Sequence, residues 1–86
     1  MSDILIVDDE RDIRELIGDI LKDEGYTTRL AGNSTEAMAE VNAEEPSLLI
    51  LDIWLKDSKM DGIDILKTVI RDNPDVPVGI ISGDGN

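Results

Sequence analysis

Three short apolar runs dominate the sequence: Ile4-Leu5-Ile6-Val7, Leu48-Leu49-Ile50-Leu51 and Val78-Gly79-Ile80-Ile81. A continuous apolar run of this length suits a strand buried on both faces, as in a parallel sheet. Between the first two lies Ile13, Leu16, Ile17, Ile20 and Leu21, spaced as one face of an amphipathic helix and closed by Gly25. Tyr26 to Ala31 reads as a weaker strand, and its threonines favour a sheet edge. Asn33 or Ser34 caps a second helix with Glu36 in its first turn. Ala37, Met38 and Val41 form that helix's inner stripe, and Glu45-Pro46 ends it. Ile63, Leu66, Val69 and Ile70 mark a third helix, stopped at Asn73-Pro74. The order is βαβαβαβ. Right-handed crossovers then give an α/β fold: a parallel sheet with helices on both faces.

Composition narrows the function. The 86 residues carry a formal net charge of −12 and contain no Cys and no His. One small domain is the size limit. Such acidity argues against nucleic acid and acidic membrane surfaces as partners. Disulfides, thiolate nucleophiles and Cys/His zinc sites are excluded. No apolar run approaches the roughly 20 residues of a membrane span. The N-terminus lacks the basic region of a signal peptide, so a cytoplasmic location is expected.

In parallel sheets, function gathers beyond the carboxyl ends of the strands. Asp8 and Asp9 follow the first strand, Asp52 the third and Ser82 the fourth. Carboxylates brought together there repel one another, and a hard divalent cation such as Mg²⁺ relieves that. A simpler reading makes Asp8 or Asp9 a helix cap and Glu10 a dipole partner. It leaves Asp52 unexplained, since no helix starts behind it. The acids at Glu36, Glu40, Glu44 and Glu45 read as a solvated helix face. Lys56 and Lys59 read as solvated loop lysines.

ILIVDDE, LLILDIWLKDSKMDG and VGIISG together resemble the receiver domain of two-component response regulators. The resemblance runs from Asp3 to Asn86. It implies a flavodoxin-like sheet in the order 2-1-3-4 and phosphate transfer from a histidine kinase to Asp52. It also implies Mg²⁺ held by Asp8, Asp9, Asp52 and the carbonyl of Trp54, with the Ser82 hydroxyl meeting the phosphoryl group. No turnover of an external substrate is expected. Two features depart from the family pattern. The proline shortly after the acceptor is missing, and the loop from Lys56 to Met60 is longer. The family pattern continues through a fourth helix, a fifth strand bearing a lysine and a fifth helix, so residues 1–86 read as a receiver domain truncated after its fourth strand. An output domain would accompany it in a longer chain.

That shortness raises an alternative: a receiver fragment acting as a dimerising module with impaired phosphotransfer. A homodimer would form through the exposed fourth-strand edge or the first helix. A haloacid-dehalogenase-type hydrolase fits poorly, because such enzymes place two acids two residues apart after the first strand. Here Asp8 and Asp9 are adjacent.

Overall fold

The computed structural model describes residues 3–52 and 62–81. Four strands, β1 (Asp3–Val7), β2 (Thr27–Ala31), β3 (Leu48–Asp52) and β4 (Val78–Ile81), alternate with three helices. The helices are α1 (Arg11–Asp23), α2 (Ser34–Ala43) and α3 (Gly62–Asp72). All strand pairs are parallel, in the order β2-β1-β3-β4. The expected architecture is therefore present, with β2 at an edge as its threonines suggested.

Strand alternation sends side chains to two different layers. On one face Leu5, Val7, Leu49 and Leu51 meet Ala37 and Val41 of α2 and Ile65 and Val69 of α3. Val76 completes this core, and Met38, Leu66 and Val78 pack against it. On the other face α1 lies over β1 and β2, with Gly18 set against Leu30, Ile6 and Thr28. A Cβ at Gly18 would sit 3.3 Å from Leu30 Cδ2, so glycine lets the helix approach closely.

The apolar stripes of α1 and α3 are only partly buried. In α3 the buried positions are Gly62, Ile65 and Val69, while Ile63 and Ile70 are exposed. Three isoleucines, a leucine and a valine on so short a helix exceed what one face can hold, and Ile65 rather than Ile63 takes the inward place. In α1, Ile13, Leu16 and Ile20 are exposed, and Gly18 is the buried residue. Among the described residues the helix packs mainly on β2 and β1, which leaves much of its apolar face exposed.

The helix ends follow the local chemistry. Asn33 is the N-cap of α2, and its side chain accepts from Glu36 N–H at 2.9 Å. Gly25 adopts φ 95°, a left-handed conformation that closes α1. There Gly25 N–H donates to Lys22 O and Tyr26 N–H to Leu21 O.

The acids of α2 are also not simply solvated. Arg29 on β2 donates to Asp3 at 2.6 Å and to Glu40 Oε1 at 3.1 Å. It also donates to the Glu40 and Glu44 carbonyls at the carboxyl end of α2. One cation thus ties β1, β2 and the negative end of a helix dipole together. This holds the Arg29 guanidinium above its ordinary range, chiefly through the Asp3 bond.

Candidate functional site

The site arises from strand register. Val7 pairs with Leu51, so the next residues, Asp8 and Asp52, emerge side by side at the carboxyl edge. This edge lies where the chain winds outward in opposite directions from β1, the usual ligand crevice of such sheets. Asp8, Asp9 and Asp52 each present a carboxylate oxygen, and these lie within 4.8 Å of one another. Asp8 and Asp52 are buried at 3% and 5% exposure, and Asp9 is half-buried. The three acids expected together are thus brought together. Ser82 and Trp54, expected at the same edge, lie outside the described residues, as do Lys56 and Lys59. Asp52 pairs with Ile81, the residue before Ser82.

Main-chain bonds fix Asp8. Its N–H donates to Ala31 O at 3.1 Å, and its Oδ1 accepts from Glu10 N–H at 2.9 Å. Its carbonyl accepts from Arg14 Nη1 at 2.8 Å. The capping reading of the acidic run does not hold for Asp8. Glu10 is the N-cap of α1, with no side-chain cap bond, and Asp8 bonds the N–H of that residue instead.

Burial pushes the Asp8 carboxyl above its ordinary range, and the charges of Asp52, Asp9 and Glu10 push the same way. The Glu10 N–H bond opposes them. An all-oxygen donor set, partly buried and mutually repelling, fits a hard divalent cation. Sequence reasoning missed Arg14 and Gly32. An arginine one turn into a helix carries no distinctive signal until the end of β2 is placed beside it.

A parallel sheet in this order, with an acidic pocket where β1 and β3 end, defines a doubly wound α/β domain. The match to known proteins is direct: residues 4–86 fit the response regulator receiver domain, and the chain belongs to that family. Among its relatives is the nitrogen assimilation regulatory protein NtrX of Azorhizobium caulinodans, 52% identical over 98% of this chain. The chain spans 18% of that relative's length. The crystallised receiver domain of NtrX from Brucella abortus is 48% identical, with a TM-score of 0.92 over 96% of this chain and 69% of that one. The response regulator TrrA of Thermotoga maritima, solved in complex with Mg²⁺-BeF, is 33% identical, with a TM-score of 0.84. It matches over 91% of this chain and 66% of its own.

Proposed function

We propose that this chain accepts a phosphoryl group on Asp52 from the phosphohistidine of a partner histidine kinase, with Mg²⁺ in the acidic pocket. The observation that carries this is the convergence of Asp8, Asp9 and Asp52 at one strand edge. An Asp52 carboxylate oxygen attacks phosphorus in line, the P–N bond breaks, and the imidazole nitrogen leaves with the bonding pair. Asp8 and Asp9 would hold the cation with Asp52 and the Trp54 carbonyl. The bound ion supplies positive charge against the phosphoryl oxygens. Ser82 offers its hydroxyl to the transferred group. That the Thermotoga maritima relative was solved in complex with Mg²⁺-BeF supports Mg²⁺ as the ion. The chain acts as a signalling module in the cytoplasm, without turnover of an external substrate, and passes its state to an output domain.

A Mg²⁺ titration of thermal stability tests this. At ten times its dissociation constant, an ion that binds only folded chain stabilises it by about 1.4 kcal/mol. Asp9→Asn reduces that gain. Glu40→Gln loses the pair to Arg29 but keeps the gain. The pH dependence has a defined sign. Because the folded Asp8 pKa is raised, the contribution of Asp8 to metal-free stability is fully present below the ordinary carboxylate range and is lost as pH rises through the folded value. Mg²⁺ removes that loss. Equal Mg²⁺ responses in both variants contradict the site.

A second reading rests on the exposed Ile13, Leu16 and Ile20 of α1 and on β4, which pairs only with β3 among the described strands. Two copies would then associate through α1 or the β4 edge. Light scattering at tens of micromolar should give a dimer mass, which Leu16→Glu lowers to that of the monomer. A monomer in the wild-type chain refutes this reading and leaves the phosphoacceptor reading untouched.

A further inference from the structure

Arg14 and Gly32 sit beside the acidic pocket without belonging to it. The Asp8 carbonyl that accepts from Arg14 Nη1 is half of the peptide unit joining Asp8 to Asp9. That unit is planar, so fixing its carbonyl direction fixes the plane from which both acids depart. The bond is charge-assisted and 2.8 Å long. Gly32 gives the guanidinium its room. A Cβ there would lie 2.8 Å from Arg14 Nη1 and 3.4 Å from its Cζ. Gly32 is itself held, its N–H donating to Glu36 Oε1 at 2.8 Å. A chain of contacts thus runs from the first turn of α2 through Gly32 and Arg14 to the Asp8–Asp9 peptide.

We propose that Arg14 is a positioning residue for the acidic pocket, orienting the Asp8–Asp9 peptide through the Asp8 carbonyl in a space that Gly32 leaves open. This rests on the metal-site reading above. The main alternative makes Arg14 a counter-ion to the carboxylates. The two differ in sign. Removing a counter-ion frees negative charge and tightens Mg²⁺ binding, whereas removing a positioning bond loosens it. Outer-shell partners of metal ligands typically matter by 10–100-fold in affinity.

Calorimetric Mg²⁺ titration of the full chain decides between them, with melting measured in parallel without metal. Arg14→Met should weaken Mg²⁺ by about tenfold. Gly32→Ala keeps every charge and displaces the guanidinium, so it should weaken Mg²⁺ in the same direction. Both substitutions act on one bond, so the double variant should bind no more weakly than Arg14→Met alone. Affinity that is unchanged or tighter in Arg14→Met overturns the assignment, and so does a lowered melting temperature with unaltered affinity. Fully additive losses in the double variant also overturn it. A wild-type chain that binds no Mg²⁺ overturns the site reading itself, a result distinct from all of these.

Discussion

Leu5→Ala should cost about 2–5 kcal/mol of unfolding free energy, the range for truncating a fully buried leucine. Leu5 lies on central strand β1, has no exposed surface and belongs to the core shared with α2 and α3. A chain of this size is stable by only about 4–13 kcal/mol at the usual 0.05–0.15 kcal/mol per residue. The substitution therefore removes a large part of the total. Ile80→Ala deletes a comparable side chain that is 51% exposed, and should cost less than about 1 kcal/mol. Urea midpoints with unchanged slopes measure both. Similar losses at the two positions would show that the core is not where the fold places it.

Asp52→Asn should abolish phosphoryl loading from a small-molecule donor such as acetyl phosphate. The amide is a far poorer nucleophile than a carboxylate, and no oxygen anion remains at that position to attack phosphorus. The effect on folding should be small beside that. The substitution also withdraws one of the charges that push the Asp8 carboxyl up, so the loss of the Asp8 contribution with rising pH becomes smaller. Loss of loading together with a retained melting transition separates chemistry from folding. Undiminished loading in Asp52→Asn would move the acceptor elsewhere.

How far the sequence alone reaches differs by element. The apolar runs of β1 and β3 identify themselves, because burial on both faces leaves no polar position. Their register follows from topology, and with it the meeting of Asp8 and Asp52. Asn33 and Gly25 declare the start of α2 and the end of α1 through cap chemistry. The inward face of α3 is not legible, since Ile63, Ile65, Leu66, Val69 and Ile70 fill more than one helical stripe. Only the position of the sheet picks Ile65 over Ile63. The exposure of α1 is equally invisible to periodicity, which reports that a stripe exists and not what lies under it. Glu40 reads as surface charge until β2 brings Arg29 across to it. Arg14 is the same case at the site: its partner is a backbone carbonyl, which no residue pattern encodes.

The central claim is that Asp52 is the phosphoacceptor. Incubating the wild-type chain with acetyl phosphate and Mg²⁺, then mapping the adduct by mass spectrometry, tests it most directly. The expected result is one added phosphoryl group per chain, located at Asp52, that disappears when Mg²⁺ is chelated before the donor is added. An adduct at another acid, or none on a folded chain, would contradict it.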